Sequence, residues 1–303
     1  MSVVEQGSLT KAAAAHETTQ SAISRQLAQL ETECGGKLFH RTGRGMVCSE
    51  LGQRMVPRVQ RMLAETDGIL AEAHALAGIP SGEVRLGLLP NVAAVIARQL
   101  FSEVRSRFPK VKLILFEGYT GQLEEWLDNG RLDVAVLFHY GKGIPANQDL
   151  LAEVDACLIS APGDLLTQNQ TVQFDRLHGL PLVLPSAPNA LRTSLDNIAR
   201  RRRLTLSPVI EANSIPVQLE LVAGGCYTII PFFAVAQKVK EGKLQASMIS
   251  NPVIERFLTL QMTTQRPITL AGREVSRVLR NIVELLRDGG AWGRVTSLNG
   301  SKK

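Results

Sequence analysis

The sequence predicts an α/β protein that carries an all-α winged helix-turn-helix at its N-terminus. Residues 8–48 hold two short helical patterns joined by three residues, the spacing of a helix-turn-helix. Residues 49–77 contain few helix breakers and predict one long helix. From residue 83 onward, apolar runs alternate with helical patterns, which is typical of a mainly parallel sheet covered by helices. With 303 residues, 45% of them hydrophobic, the chain has room for two or three domains.

Two capping residues bound the helix-turn-helix. Ser8 is placed to cap a helix over Leu9–Ala15, and Thr19 to cap a second helix over Gln20–Glu33. Apolar residues of the second helix recur at i, i+4 and i+7 and are expected to face the core, and they are Ile23, Leu27 and Leu30. Residue types that contact base edges and phosphates in a DNA major groove lie on the opposite side, and they are Gln20, Ser21, Ser24 and Arg25. A solvated helix surface would carry the same types, so both interpretations stand at this point.

Positive charge is concentrated just after this second helix. Between residues 37 and 61, six basic residues stand against one acidic residue, Glu50, while the whole chain has a net charge of +6. Clustered basic residues favour contacts with DNA phosphates. Residues 42–45 predict a tight hairpin tip, the wing, whose arginine is suited to the DNA backbone or the minor groove. Arg41 and Arg44 are therefore candidate DNA contacts.

The long helix carries an apolar seam. Candidate seam residues between positions 55 and 76 fit alternating spacings of 4 and 3, a heptad pattern, and they are Met55, Val59, Met62, Ile69 and Leu76. A helix lying on its own domain would also show an apolar stripe. However, a helix of about 28 residues is about 42 Å long, more than one small domain covers, which favours pairing with a second copy. Such a pair would place two DNA-reading helices on a roughly palindromic site.

The sequence lacks the patterns of an enzyme or an exported receptor. No GxGxxG follows the first strand, GxSxG is missing, and neither the five histidines nor the four scattered cysteines have metal-ligand spacing. We therefore expect no enzyme activity, no cofactor and no metal. The first residues lack the order of a signal peptide, and no run of about 18 apolar residues occurs, so we expect a cytoplasmic protein without membrane association. A nonspecific nucleoid protein, which would bind DNA but lack a ligand cleft, remains as an alternative.

This N-terminus resembles the DNA-binding module of LysR-type transcriptional regulators through the string SLTKAAAAHETTQSAISRQLAQLE…KLFHRTGRG…SELG. Residues of the family pattern stand at matching spacings, and they are Ser8, Ala12, Ala13, Gln20, Ala22, Ser24, Leu30, Glu31, Leu38, Phe39, Arg41 and Gly52. The resemblance implies a winged helix-turn-helix over residues 1–52 and a linker and dimerisation helix over 53–78. Family members begin earlier, so we expect the first helix to be truncated here, through an internal start or a real shortening.

The second part is similar to the effector-binding domain of the same family, through the segments FPKVKLILFEG, LDNGRLDVAV, LPLVLPS and LELVAGGCYTIIP. The resemblance implies two α/β lobes like those of periplasmic binding proteins, with a small-molecule effector between them. Residues 83–160 and 251–288 are expected to form lobe one, and residues 161–250 lobe two. The segment LVLPSAPNALR is closest to the branch that contains nitrogen assimilation control proteins.

Candidate effector contacts follow strands that feed helix N-termini, where free amides and the helix dipole suit a carboxylate. They are Asn91, Thr120, Ser186, Asn213 and Ser214. By position, Asn91 and Thr120 match residues that hold effectors in the family, although helix capping would explain Asn91, Thr120 and Ser186 as well. Arg192 is a candidate for neutralising an anionic effector, or else a surface residue.

The resemblance also implies the partners of the chain. They are double-stranded DNA with a pseudo-palindromic operator, a small-molecule effector, further copies of the chain in a dimer or tetramer, and RNA polymerase.

The arginine run at 200–203 ends a predicted helix, where cations suit the dipole, and is interpreted as a solvated face. A redox switch through Cys157 and Cys226 has no supporting basic or paired-cysteine context.

Overall fold

The computed structural model describes residues 1–43, 45–76, 78–141 and 143–288. These residues divide into two compact units. The first comprises Met1–Leu70 with Asn129–Arg131, and the second comprises Ala71–Asp128 with the residues from Leu132 onward. Arg44, one of the expected DNA contacts, lies outside the described residues.

The N-terminal part is helical with one small hairpin. Its elements are α1 (Ser2–Gln6), α2 (Leu9–Ala15), α3 (Gln20–Glu33), β1 (Phe39–Thr42), β2 (Gly45–Cys48) and α4 (Glu50–Leu76). β1 and β2 pair antiparallel with Thr42 opposite Gly45, so the predicted hairpin is present. The bounds of α2 and α3 agree with the two helices predicted from the sequence.

Local hydrogen bonds explain where these elements begin. Ser8 Oγ accepts the amide of Lys11 at 3.4 Å, and Thr19 Oγ1 accepts the amide of Ala22 at 3.2 Å, so both expected caps are present. The residue after α1, Gly7, contacts the hairpin through its carbonyl, which accepts the amide of Met46 at 2.8 Å. Because a Cβ at Gly45 would lie 2.4 Å from the same carbonyl, this close approach requires glycine.

The inward face of α3 differs from expectation at one position. Ile23 and Leu27 are half-buried, but Leu30 is 47% exposed, so the prediction that Leu30 faces the core is wrong. Glu31, the next residue, is only 8% exposed. The buried face is rotated toward Glu31, whose carboxylate is tolerated there because it accepts backbone hydrogen bonds.

The second unit contains two lobes, each built on one sheet. Its elements in chain order are β3 (Gly82–Leu88), α5 (Pro90–Arg107), β4 (Val111–Glu117), α6 (Thr120–Asp128), β5 (Val134–Tyr140), β6 (Gln148–Glu153), β7 (Cys157–Ser160), β8 (Thr171–Gln173), β9 (Leu182–Leu184), α7 (Ala190–Arg201), β10 (Ile210–Glu211), α8 (Ile215–Ala223), β11 (Tyr227–Ile230), α9 (Ala236–Lys240), β12 (Gln245–Ser250), β13 (Arg256–Met262) and α10 (Leu270–Asp288).

Lobe one has a five-stranded sheet with the order β4-β3-β5-β13-β6. β3 runs parallel to β4 and β5, whereas β13 runs antiparallel to β5 and β6. The expected mainly parallel sheet is therefore mixed. The antiparallel pairs arise because β13 enters the sheet after the chain has returned from lobe two, and only the βαβαβ part that precedes the excursion is parallel.

Lobe two has a six-stranded sheet with the order β10-β9-β11-β7-β12-β8. β7 pairs antiparallel with β11 and β12, so residues 157–160 belong to lobe two. The expected boundary of lobe one at residue 160 is therefore wrong, because the chain crosses between β6 and β7. Buried strands of two different sheets have the same apolar composition, which concealed this crossing. The expected return near residue 251 agrees with the gap between β12 and β13.

Separate apolar cores stabilise the two lobes. In lobe one, α5 and α10 pack against the sheet through the fully buried side chains of Ile96, Leu100, Val275 and Leu279. In lobe two, successive residues of β7 point to opposite faces, so that Leu158 joins the cluster that includes α7 and Ile159 joins the one that includes α8. None of the described helices combines the length and apolar content needed to cross a membrane.

Candidate nucleic-acid interface and ligand cleft

Three polar side chains on the exposed face of α3 have no partner among the described residues. Gln20, Ser24 and Arg25 are exposed, and the structure gives their side chains no hydrogen bond or ion pair with another described residue. Ser21 is also exposed, but its hydroxyl lies 3.0 Å from Thr19 Oγ1, the capping oxygen of α3. Ser21 therefore supports the start of the helix, while the other three side chains are available for base edges and phosphates.

The hairpin between α3 and α4 presents a further cation. Arg41 is exposed on β1, opposite Met46 of β2. Lys37 is exposed as well, but its Nζ contacts Glu31 at 2.6 Å. Arg41 is therefore the more available of the two for a phosphate contact.

Glu31 connects the recognition helix α3 to this hairpin. Its carboxylate accepts the amides of Leu38 at 2.9 Å and Phe39 at 3.4 Å, as well as Nζ of Lys37. Burial acts to raise the pKa of Glu31, but the hydrogen bonds from Lys37 and the two amides together outweigh it and hold this pKa below its ordinary value. Glu31 thereby fixes the start of β1 relative to α3.

Replacing Glu31 with alanine should destabilise the N-terminal unit by about 1–3 kcal/mol at pH 7, because the Leu38 and Phe39 amides lose their acceptor. A carboxyl group whose pKa is lowered on folding stabilises the fold above its unfolded pKa, and this contribution disappears as the pH falls through the folded pKa. The difference from wild type in urea unfolding should therefore shrink below about pH 4.

The matched control for Glu31 is Glu33→Ala on the same helix. Glu33 is exposed and accepts only a side-chain hydrogen bond from Gln29, at 3.2 Å, among those recorded in the described chain. Its loss should change the free energy of unfolding by less than about 0.5 kcal/mol. Equal effects of the two variants would contradict the role given to Glu31.

The candidate dimer seam is exposed along the middle of α4. Met62 is 62% exposed and Ile69 is 63% exposed, whereas Met55 and Val59 are half-buried. The side chain of Leu76 lies outside the described residues. Covering large apolar side chains lowers the free energy. Because Met62 and Ile69 are not covered by their own unit, their exposure disfavours the alternative in which α4 buries its stripe there.

A cavity of about 310 Å³ lies between the two lobes and is called the interlobe cleft below. Lobe one lines it with residues that include Leu89, Pro90, Asn91, Thr120, Glu124, Phe138, Tyr140 and Arg256, and lobe two with residues that include Pro185, Asn189, Ala190, Asn213, Ile215, Gln218 and Ile230. Most of this lining is apolar, with a few polar groups between. Both the size and the lining suit a compact small molecule.

Four helices begin at the interlobe cleft. The first residues of α5, α6, α7 and α8 line it, and they are Pro90, Thr120, Ala190 and Ile215. Asn189 Oδ1 accepts two amides of α7, but α5 and α8 begin without a side-chain cap. Because a helix N-terminus carries partial positive charge and free amides, this convergence favours a ligand with negative charge.

Three of the five expected effector residues, Asn91, Thr120 and Asn213, line the interlobe cleft. Thr120 Oγ1 accepts the Phe138 amide at 3.3 Å and donates to the Phe138 carbonyl at 3.4 Å, so its bonds join α6 to β5. Ser186 and Ser214 do not line the cleft, and the Ser186 amide instead donates to Asn213 Oδ1 at 3.0 Å. Contact of the three lining residues with an effector remains a prediction.

A tyrosine joins the two lobes across the interlobe cleft. The hydroxyl of Tyr119, in the loop before α6, donates to the carbonyl of Asn213 in lobe two. Burial, with a smaller contribution from Glu117, raises the pKa of Tyr119, so the hydroxyl keeps the proton it donates. A ligand that displaces the segment around Asn213 would therefore also act on this link between the lobes.

Arg192, the sequence candidate for an anionic effector, is occupied elsewhere. Its guanidinium contacts Asp196 at 3.0 Å and Glu211 at 2.8 Å, and it does not line the cleft. In the arginine run, Arg202 pairs with Asp175 at 2.6 Å.

The redox switch considered for Cys157 is disfavoured by its surroundings. Burial, followed by the charge of Asp155, raises the pKa of Cys157 to about 12, which disfavours the thiolate that redox chemistry requires.

Sequence reasoning missed the charged residues of the cleft, Arg256 and Glu124. Glu124 lies one helical turn after Thr120 on α6, and burial raises its pKa, with a further contribution from Asp128. Arg256 is the first residue of β13 and is 2% exposed. Arg256 lies where the chain returns to lobe one, and no local sequence pattern there indicates a ligand contact.

A helix-turn-helix with exposed polar side chains, joined to a two-lobed domain around a cleft, is the arrangement expected of a ligand-responsive DNA-binding regulator. The comparisons with known families agree, and the chain belongs to the LysR family. Residues 1–53 match the bacterial regulatory helix-turn-helix protein model of the lysR family, and residues 77–290 match the LysR substrate binding domain. The chain is a LysR-type transcriptional regulator with an effector-binding domain, and not an enzyme.

Similar proteins cover most of the chain. The nitrogen assimilation regulatory protein nac of Escherichia coli (strain K12) is 27% identical over 93% of this chain and 92% of its own. The probable hydrogen peroxide-inducible genes activator of Streptomyces viridosporus is 30% identical over 91% of this chain and 89% of its own. The resemblance to the nitrogen assimilation branch thus has weak support, because a relative of another name has a slightly higher identity.

Solved structures share the fold at low identity. A full-length OxyR variant from Pseudomonas aeruginosa aligns with a TM-score of 0.69 at 18% identity, covering 94% of this chain and 92% of that chain. Full-length BenM aligns with a TM-score of 0.55 at 21% identity, covering 98% and 97%. Both alignments run through the N-terminal and the ligand-binding parts.

Proposed function

We propose that this regulator binds a specific operator through the exposed face of α3 and that an effector in the interlobe cleft controls this binding. The observation that carries the proposal is the set of exposed, unused side chains of Gln20, Ser24 and Arg25. In a helix-turn-helix, this face of the second helix enters the major groove. Arg41 adds a phosphate contact from the hairpin.

The exposed seam of α4 supports pairing of two chains in this proposal. Two copies joined through Met62 and Ile69 would present two α3 helices to the two halves of a pseudo-palindromic operator. The same proposal includes the assembly of two such pairs into a tetramer and contact with RNA polymerase. It also places the regulator in the cytoplasm, where bacterial DNA lies.

Control by ligand follows from the two-lobed cleft. A molecule that contacts Asn91 and Thr120 in lobe one and Asn213 in lobe two would stabilise one relative position of the lobes over others. Its differential affinity for the two positions is the free energy available to change operator binding.

Arg25→Ala and Gln20→Ala should affect DNA binding in different ways. Loss of Arg25 removes a cation, so affinity should fall on all sequences alike and the slope of log affinity against log salt should decrease by about one. Loss of Gln20 should change the preferred bases, with a cost of about 1–3 kcal/mol at the preferred operator only. Gel shifts against the DNA flanking the coding region, at several salt concentrations, measure both effects.

Lys110→Ala is the control, because Lys110 is an exposed cation in the second unit. It should leave affinity and salt slope unchanged. If the unmodified chain bound no site better than random DNA at moderate salt, the proposed function would be wrong. If Gln20→Ala reduced affinity equally on every sequence, base reading by Gln20 would be wrong.

A further inference from the structure

Arg256 is a buried cation at the interlobe cleft. Its side chain lines the cleft and is 2% exposed. One of its terminal nitrogens donates to the carbonyl of Asp155, and the positive charge of the guanidinium lies close enough to the Tyr140 hydroxyl to oppose the rise in its pKa that burial causes. It lies over the ring of Phe138, with the guanidinium carbon 4.9 Å from the ring centroid. These contacts hold the guanidinium in one place between the two lobes.

One donor of this guanidinium is not used. Nε of Arg256 is buried and has no hydrogen-bond partner. Among the described residues, it is the one buried side-chain nitrogen or oxygen that lacks such a partner. A buried N–H group without an acceptor is costly, particularly on a charged group. Because the side chain lines the cleft, a carboxylate bound there would supply an acceptor to the guanidinium after a small shift of the side chain.

The remaining charges of the cleft agree with a negatively charged ligand. Among the lining residues Glu124 is the only carboxyl group and Arg256 the only guanidinium. The four helix N-termini described above add positive potential, so the cleft as a whole favours an anion.

We propose that the interlobe cleft binds a compact carboxylate with an apolar body, and that Arg256 neutralises the carboxylate. This inference rests on the proposed effector function and names the chemistry of the effector. The apolar body follows from the lining by Leu89, Phe138, Ile215 and Ile230, and a compact molecule fits the cavity of about 310 Å³ that these residues and Arg256 line.

The test compares two carboxylates with their uncharged amides on the full chain. The probes are benzoate and 4-methylpentanoate, with benzamide and 4-methylpentanamide, and binding is measured by isothermal titration calorimetry. Wild type should bind each acid at least about ten-fold more tightly than its amide, because the hydrogen bonds to the guanidinium are charge-assisted. Equal binding of acids and amides, or no binding of any of the four compounds, would overturn the inference.

Three variants assign the preference to particular residues. Arg256→Met should lower acid affinity about ten-fold or more while leaving amide affinity within about two-fold, and Arg256→Lys should recover part of the loss. Glu124→Gln should raise acid affinity, because a like charge is removed. Arg192→Met should change nothing, because Arg192 is paired outside the cleft.

These outcomes separate the inference from the proposed function. If Arg256→Met does not fold, the acid preference of wild type and its increase in Glu124→Gln still decide the question. An Arg256→Met protein that keeps the acid preference overturns the role of Arg256, while the gel shifts with operator DNA still test regulation. A normal acid preference in a chain that binds no specific DNA would instead overturn the proposed function alone.

Discussion

Replacing both Met62 and Ile69 with glutamate should halve the mass of the assembly and reduce operator affinity by a factor of about 10²–10⁴. Both side chains are more than half exposed on α4 and lie on the heptad seam. A glutamate at each position would bring like charges together and remove the apolar area that a paired helix covers. The loss of affinity follows because two linked DNA-reading units bind far more tightly than one. Analytical ultracentrifugation and gel shifts measure the two effects.

Gln60→Glu is the matched control for the seam variant. Position 60 lies between the seam positions 59 and 62, on the opposite side of the helix in the heptad pattern. It adds one negative charge outside the seam, where the seam variant adds two within it, so mass and affinity should stay close to wild type. A seam variant that kept its full mass would show that α4 does not pair with another copy.

Gly52→Ala should destabilise the N-terminal unit by about 3 kcal/mol, at the upper end for an overpacked site. Gly52 is buried in the first turn of α4, and its amide donates to Ser49 Oγ at 3.0 Å. A Cβ there would lie 2.1 Å from the backbone carbonyl oxygen of Leu38, so the start of α4 would have to move away from β1. Hydrogen exchange of peptides from α3 to the start of α4, read by mass spectrometry, should show the loss of protection.

Alanine at position 52 should change the free energy of unfolding in the opposite direction to alanine at an open helical glycine. In an open helical position, replacing glycine with alanine stabilises a helix by about 0.5–1 kcal/mol. Gly121 in the first turn of α6 is such a position, because a Cβ would meet nothing within 4 Å. Gly121→Ala should therefore leave stability unchanged or slightly raised, and unchanged or increased protection in Gly52→Ala would contradict the close approach.

The helix-turn-helix was predictable because its signals are local. Caps at Ser8 and Thr19 and the hairpin tip at 42–45 are set by residues close together in the chain. Leu30 and Glu31 show the limit of this reasoning. The family pattern contains both residues, but periodicity assigns the buried position to the apolar one. Glu31 is buried because amides from β1 reach it, and such contacts between elements are not visible in the spacing of one helix.

The two-lobed outline of the ligand-binding domain was predicted, but features that depend on contacts between distant segments of the chain were not. Strands of both lobes have similar apolar sequences, so only their pairing shows that β7 belongs to lobe two. Arg192 was a candidate for neutralising an anionic effector because it is a cation, but Asp196 and Glu211 use its charge. Arg256 reaches the cleft from the far end of the chain, and no residue near it in the sequence indicates a cleft.

The position of β13 sets an order for folding during synthesis. β6 is joined to the sheet of lobe one only through β13, which is made roughly a hundred residues later. On the ribosome, all strands of lobe two emerge before β13, so lobe two has every strand it needs while lobe one still lacks an interior one. Until that strand arrives, β5 and β6 expose unpaired edges, the kind of surface that chaperones protect in a nascent chain. The cleft between the lobes, and with it the ability to respond to a ligand, is therefore among the last features of the protein to form.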